Sequence, residues 1–565
     1  MLLLTSSKSR FHLILFLCLS ANLLFARNPI RAKHGMVVSA EKYATKVGVN
    51  ILKMGGNAVD AAVAVGFALA VTYPAAGNIG GGGFLVLYDK NKNATTLDFR
   101  EKAPLKSHSK MFLDSLGNFV PELSQNGWQS SGVPGTVAGL CYALQKYGTM
   151  TLAEVIQPAI DLAENGFLLD YHSSKSINTS NKDFNKYEAS KKIFTENGKE
   201  LTEGRLFIQT DLANTLKLIR DNGADDFYNG SIASKIVEES DRHGGIFSLE
   251  DFSSYKVIER EPIIGSYKGY KIISMGPPSS GGICLVQALN VLENFNFTKN
   301  DWNSSNYLHK IIETCKYVYA DRAEHLGDSD FVNVPVDKLI SKDYAKEIFN
   351  SINENAVPSK EISSNILLKK ESEETTHFSV ADKFGNAVSL TYTLNSSYGN
   401  KIVVDGLGFL LNNEMDDFSS KPGEPNQYGL LGSYANSIEP QKRMLSSMTP
   451  TIILQDDKPI MIIGTPGGAT IITQVMQTIL NVAEFGMDIE DAVFVPRIHH
   501  QWLPDEVYYE PFGLSDDVIK NLSQKGHKFG KPRRLGLMEG ISIDQSNKLF
   551  YGASDPRGTG KAMGF

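Results

Sequence analysis

At residue 375 a charged, polar stretch runs straight into an alternating apolar strand, with no turn residue between them. The junction reads Glu371-Ser-Glu-Glu-Thr-Thr-His-Phe-Ser-Val380. Phe378 and Val380, then Val388 and Leu390, keep the two-residue period of strands. Asp382-Lys-Phe-Gly-Asn386 between them has turn chemistry, so the spacing predicts a hairpin. Residues 350–374, rich in Ser, Asn, Glu and Lys, read instead as a mobile linker. A threonine at such a boundary becomes a chain terminus if the linker is cut. Its free α-amine would then titrate near ~8 and take the hydroxyl proton at neutral pH. The alternative is an ordinary strand-opening threonine, since Thr is common in strands.

The bulk numbers suit a globular enzyme: 565 residues, 42% hydrophobic and 21% charged, can bury a large core. A net charge of −7 offers no basic footprint, which argues against nucleic acid as a partner. Residues 1–26 stand apart. Lys8 and Arg10 precede a run from Phe11 to Ala26 rich in Leu, Ile and Phe, the pattern of a cleavable signal peptide. Ser20 and Asn22 interrupt that run, so a stable membrane anchor is not expected, and no later run approaches ~18 apolar residues. Cleavage near Ala26 removes two positive charges, leaves the remainder near −9, and implies a periplasmic or secreted protein. Cys18 leaves with the leader. Cys141, Cys284 and Cys315 lie far apart with no CxxC or Cys/His cluster, so neither a metal site nor a disulfide scaffold is expected. Three buried thiols, or one disulfide and one thiol, both remain open. His499-His500 has no third ligand nearby, and no metal or cofactor is expected.

Ahead of the junction, a helix from Ala40 to Met54 ends at Gly55-Gly56, and Asn57 caps a second, Ala- and Val-rich helix through Val71. Gly77-Asn-Ile-Gly-Gly-Gly-Gly-Phe84 then enters a strand to Tyr88. A phosphate-binding loop would need its glycines to open a helix, so this run reads as a turn packed close to another backbone. Strands follow at 94–100, 257–260 and 270–274, and a helix runs from the Gly276-Pro-Pro-Ser-Ser-Gly-Gly282 turn to Leu292. Behind the junction, strands at 376–381, 387–392, 451–454 and 460–463 alternate with helices at about 470–485 and 515–525. Two strand groups attended by helices are compatible with stacked sheets between helical layers.

Seven stretches carry a family resemblance in order along the chain. They are Asp98-Phe-Arg-Glu-Lys-Ala-Pro104, Thr375-Thr-His-Phe-Ser-Val380, Leu390-Thr-Tyr-Thr-Leu-Asn395, Leu410-Leu-Asn-Asn-Glu-Met-Asp-Asp-Phe418, Arg443-Met-Leu-Ser-Ser-Met-Thr-Pro450, Gly464-Thr-Pro-Gly-Gly468 and Tyr551-Gly-Ala-Ser-Asp-Pro-Arg557. Together they resemble the γ-glutamyltranspeptidase family of N-terminal-nucleophile (Ntn) hydrolases, bacterial type. The resemblance implies an α/β (α+β) fold, a four-layer αββα sandwich built from both halves of a self-cleaved precursor. It implies attack of Thr375 Oγ on the carbonyl of Glu374, an N-to-O acyl shift and hydrolysis of the ester. The products would be a large subunit, 27–374, and a small catalytic subunit, 375–565, held together as a heterodimer.

The same resemblance implies the site. Thr375 is the nucleophile, Thr393 on the far arm of the hairpin orients it, and the backbone N–H groups of Gly467 and Gly468 form the oxyanion hole. A γ-glutamyl group ends in an α-carboxylate and an α-ammonium. Arg100 would fork onto the carboxylate with Ser446 and Ser447. Glu414, Asp417 and the side-chain carbonyl of Asn395 would take the ammonium, and Tyr428 would sit on a lid over the substrate. Singly, each has an alternative: Arg100 pairing with Asp98 or Glu101, Ser446-Ser447 as a turn, Asp416-Asp417 as a solvated cap, Thr393 as one more strand residue. His377 is read as structural, on the opposite face from Thr376. Expected substrates are glutathione, glutamine and other γ-glutamyl compounds, with water, amino acids or peptides as acceptors. The competing readings are a cephalosporin or glutaryl acylase of the same fold, and an uncleaved relative acting as a binding protein.

Overall fold

The computed structural model describes residues 28–362, 375–419, 421 and 434–565. Residues 1–26, read above as a signal peptide and including Cys18, lie outside the described residues, as do Glu374, expected at the cleavage site, Tyr428, expected on a lid, and the last part of the expected linker.

The hairpin forms where the alternation places it, as Thr376–Asp382 and Ala387–Thr393. It occupies the middle of a seven-stranded antiparallel sheet ordered Lys561–Gly564, Gly35–Ser39, Thr376–Asp382, Ala387–Thr393, Gly82–Tyr88, Ala94–Phe99, Ile258–Arg260. A second antiparallel sheet runs Ile30–Ala32, Leu549–Ser554, Glu539–Asp544, Lys458–Gly464, Thr451–Gln455, Tyr270–Ser274, Ile263–Tyr267. Strands from before and after residue 375 interleave in both sheets, so neither half could keep its core without the other.

Alternation along the central hairpin sorts its side chains between two layers. Phe378, Val380, Val388 and Leu390 pack into the core beneath helices Lys42–Lys53 and Ala58–Thr72. The polar alternates face the other sheet rather than water: Ser379 donates to the carbonyl of Ile462 (3.3 Å) and Ser389 to that of Ile463 (3.0 Å). Helix Ala58–Thr72 is capped by a reciprocal Asn57/Asp60 box and is buried along its whole length; its small side chains let it lie close to the sheet. Helices Gly281–Leu292, Ser305–His325 and Thr470–Ala483 cover the second sheet, completing the αββα sandwich.

Two expectations narrow. The linker begins later than composition suggests, because helix Lys342–Ser351 runs into it and residues 353–359 are tied down. Lys316 Nζ donates to the carbonyl of Val357 (2.9 Å), Glu313 Oε2 accepts its N–H (3.0 Å), and Trp502 Nε1 donates to the carbonyl of Ser359 (2.7 Å). Cys141, Cys284 and Cys315 are all free thiols, which removes the disulfide alternative. No helix among the described residues is long and apolar enough to cross a membrane.

Candidate active site

Thr376 pairs with Tyr392 across the hairpin, so Thr375 and Thr393 are the next facing residues. Both are buried, at 6% and 3% exposure. The N–H of Asn395 donates to Thr393 Oγ1 (2.8 Å), which fills an acceptor position on that hydroxyl and leaves its proton to be donated elsewhere. The glycine run reaches this point from the front half. A Cβ on Gly81 would lie 2.0 Å from the carbonyl oxygen of Thr393, and Asn78 Nδ2 donates to that same oxygen at 2.9 Å. The run is therefore the close backbone approach read from the sequence, and what it approaches is Thr393.

Thr375 and Thr393 line a cavity together with Arg100, Asn395, Glu414, Asp417, Ser446, Ser447 and Gly468. Residues far apart in sequence thus meet around one hydroxyl. Arg100 is buried and points at neither Asp98 nor chiefly at Glu101: its Nη1 lies 2.8 Å from Glu414 Oε2 and its Nη2 2.5 Å from Asp417 Oδ2, with Glu101 at 3.5 Å. Asp98 accepts the Arg100 N–H instead and pairs with Arg260 and Arg443. Asp416 is held by Ser124, so only Asp417 of that acidic pair turns to the cavity. Asn395, at φ +75°, gives its Nδ2 to the carbonyl of Asn413, so what it has left to offer a cation is Oδ1.

The electrostatics are those of a crowded acid cluster. Burial, opposed by Arg100 but reinforced by Glu101 and Asp417, raises Glu414 well above the usual carboxylate range. Burial likewise raises Asp417, and pushes Glu101 up to about 7. Arg100 is held above its ordinary value: burial would lower it, but the three carboxyl groups more than compensate. Burial and crowding thus disfavour the charged form of all three carboxyls around the one guanidinium.

Ser446 and Ser447 are prepared as donors. Ser446 Oγ accepts the N–H of Met448 (3.1 Å) and Ser447 Oγ accepts from Arg322 Nη2 (3.0 Å), so each hydroxyl proton is available to an anion. The Gly276–Gly282 turn supports this pair, with Ser280 Oγ donating to the carbonyl of Ser446 (2.7 Å) and receiving from Arg322 Nε (2.9 Å). Arg322 is a cavity residue that motif reading missed. Its only trace in the sequence is a cation near the end of an otherwise well-packed helix, Ser305–His325. Asn412 was missed too: its side chain binds Gly80, Gly132 and the Glu414 N–H, joining the glycine run to the acidic turn.

Gly467 (φ +137°) and Gly468 (φ +53°) adopt backbone open mainly to glycine, between strand Lys458–Gly464 and helix Thr470–Ala483. Their carbonyls accept from Thr470 and Ile471 N–H (3.0 and 3.2 Å), turning into the helix, so the N–H groups point back from its N-terminus. Gly468 lines the cavity, whereas Gly467 lies one residue behind it. His377 takes no part: it is fully buried, bonded to Thr391 Oγ1 (2.8 Å) and Ser379 Oγ (3.0 Å), and burial pushes it down to about 3. His499 is likewise occupied by Thr473 and Gln501.

The family described as gamma-glutamyltranspeptidase matches the chain over residues 44–565. A glutathione hydrolase proenzyme of Escherichia coli (strain K12) is 50% identical over 532 residues, covering 94% of this chain and 91% of its own. The crystal structure of a cephalosporin acylase from Bacillus halodurans superposes with a TM-score of 0.86 at 27% identity, covering 96% of this chain and 97% of that one. The crystal structure of Helicobacter pylori gamma-glutamyltranspeptidase gives a TM-score of 0.57 at 50% identity, over 57% of this chain and 94% of that one.

Proposed function

The chain belongs to the gamma-glutamyltranspeptidase family, and from that premise we propose that it is a γ-glutamyltransferase and glutathione hydrolase working through Thr375. The observation that carries this reading is the cavity itself. Beside a buried threonine hydroxyl it sets a guanidinium and two serine donors for a carboxylate, and two carboxyls with an amide oxygen for an ammonium. A zwitterionic γ-glutamyl head needs both sets. An acyl group without the α-ammonium, as in the acylase reading, would leave Glu414 and Asp417 with no cation but Arg100.

Maturation cuts the chain before Thr375, after removal of residues 1–26, to give subunits 27–374 and 375–565 that act in the periplasm or outside the cell. The freed α-amine of Thr375 takes the hydroxyl proton, and Oγ attacks the γ-carbonyl while Thr393 orients it. Negative charge gathers on the carbonyl oxygen opposite the N–H groups of Gly467 and Gly468, at a helix N-terminus that favours it. The proton returns to the departing amine, and the γ-glutamyl ester then passes to water, an amino acid or a peptide.

The test is intact mass of the purified protein beside a Thr375→Ala variant, followed by assay with a γ-glutamyl donor. Two chains with the smaller beginning at Thr375, one chain in the variant, and donor turnover only in the first are expected. An unprocessed wild-type chain would sink the mechanism.

A further inference from the structure

His309, Glu313 and His527 meet where helices Ser305–His325 and Asp516–Gln524 pack together, and all three are buried. None of them lines the cavity at Thr375. His309 and Glu313 stand one helical turn apart and share a face of their helix. Gly526, at φ +105°, ends the other helix and turns His527 back over it, the His527 N–H donating to the carbonyl of Leu522 (3.1 Å). One ring nitrogen from each histidine and one oxygen of Glu313 lie within 4.8 Å of one another. The adjacent pair His499-His500 has no such third partner, whereas this group joins histidines 218 positions apart, a separation that no motif reading spans.

The outward atoms of the group are already tied. His309 Nε2 lies 2.7 Å from the carbonyl of Asn353, so it carries the ring proton and Nδ1 keeps its lone pair. Glu313 Oε2 accepts the N–H of Val357 (3.0 Å). Inward remain His309 Nδ1, His527 Nε2 at 2.8 Å from it, and Glu313 Oε1. We propose that His309, Glu313 and His527 are the ligands of a divalent cation of the zinc class. Two imidazoles and a carboxylate are a donor set that Zn²⁺ takes, and a backbone carbonyl behind a ligating histidine is its usual support. Zinc bonds of about 2.0–2.1 Å place tetrahedral donors ~3.4 Å apart, so the ligands need shifts of about an ångström, within reach of side-chain rotation. Glu313 Oε1 now pairs with Lys316 Nζ (2.8 Å), and Asp505 Oδ1 stands 3.7 Å from the same ammonium, ready to take it over. His309 and Glu313 precede residue 375 and His527 follows it, so the ion would clamp the front and back portions of the chain to each other. The site itself is independent of the Thr375 reading.

The experiment titrates chelator-treated full-length protein with ZnCl2 in a calorimeter. One equivalent should bind with a Kd of about 1 µM or tighter, and at a hundredfold excess over Kd should raise the thermal midpoint by about 2–3 °C. His527→Gln and Glu313→Gln, which keep the size and hydrogen bonding of the side chains, should each weaken that binding at least about tenfold. His243→Gln, which removes an exposed histidine beside Glu239 (3.6 Å), should leave it unchanged. Zinc-edge anomalous scattering from crystals grown with ZnCl2 decides the matter without any variant, through a peak between His309, Glu313 and His527. No tight equivalent in the wild type, binding undiminished in both ligand variants, or anomalous peaks only at surface histidines would overturn the assignment.

Discussion

Arg100 Nη1 stands 2.8 Å from Glu414 Oε2, although the two are expected to hold opposite ends of the same substrate head. Here they hold each other. A zwitterion entering the cavity exchanges the internal ion pairs of Arg100 with Glu414 and Asp417 for external ones, with its carboxylate on Arg100 and its ammonium on Glu414 and Asp417. Burial makes this exchange selective, since a ligand with only one of the two charges would strand a partner out of water.

Binding an ammonium at this cluster requires its carboxyls to be ionised, and burial raises all three. Donor kcat/KM should therefore fall as pH drops through about 7, the value to which burial pushes Glu101. Glu414→Gln removes one neighbouring negative charge, so the remaining carboxyls should ionise more readily. The acid limb of the kcat/KM profile should shift to lower pH by about one unit. A limb that stays in place would assign it to another group.

Arg322 and Ser447 should act as a unit. Arg322→Gln is expected to cost about tenfold in donor kcat/KM, in line with loss of a charge-assisted hydrogen bond of about 1.5 kcal/mol. In a Ser447→Ala background the same change should cost much less, because the hydroxyl it orients is gone. Additive losses in that double-mutant cycle would mean that Arg322 acts elsewhere.

Gly81→Ala should damage the enzyme without touching any charged group. Its Cβ would meet the carbonyl of Thr393 at 2.0 Å, so one backbone must move. A stability loss of about 1–3 kcal/mol is expected from overpacking, seen as a lower urea midpoint. A fall in kcat larger than the rise in KM should accompany it, since Thr393 is displaced relative to Thr375.

Acid stability should be governed by buried neutral histidines. His377 and His499 are both pushed by burial to about 3, below the ~6.5 of an unfolded chain. Each supports the fold fully above ~6.5 and loses that support as pH falls toward the folded value, by about 1.4 kcal/mol per pH unit. Glu41 and Glu101, both raised to about 7 mainly by burial, work in the opposite sense: their contribution is complete below ~4.5 and lost as pH rises through about 7. The two sets act in opposite senses between ~4.5 and ~6.5, so the decline should steepen below about 4.5, where only the histidines still titrate against the fold. Urea midpoints measured from pH 7 to 3.5 should show that break, and His499→Gln should make the acid-side decline shallower by about one proton.

Local chemistry determined much of this protein before any packing was considered. The hairpin at Thr375, the Asn57-capped helix, the turn-forming glycines and the motif that opens helix Thr470–Ala483 each depend on neighbours within a few residues, so period and turn residues suffice to place them. The family resemblance carried by the ordered motifs also named Arg100, Asn395, Glu414, Asp417, Ser446 and Ser447, and the fold brings them together at Thr375. What only the tertiary structure decided is how those groups are satisfied. That Ser379 and Ser389 face a second sheet rather than water, that Arg322 completes Ser447, that Asn412 binds Gly80 to Glu414, and that residues 353–359 are pinned beside Trp502 all depend on contacts between distant segments. No local pattern encodes such contacts, because a buried polar group needs a partner but leaves open which distant residue supplies it.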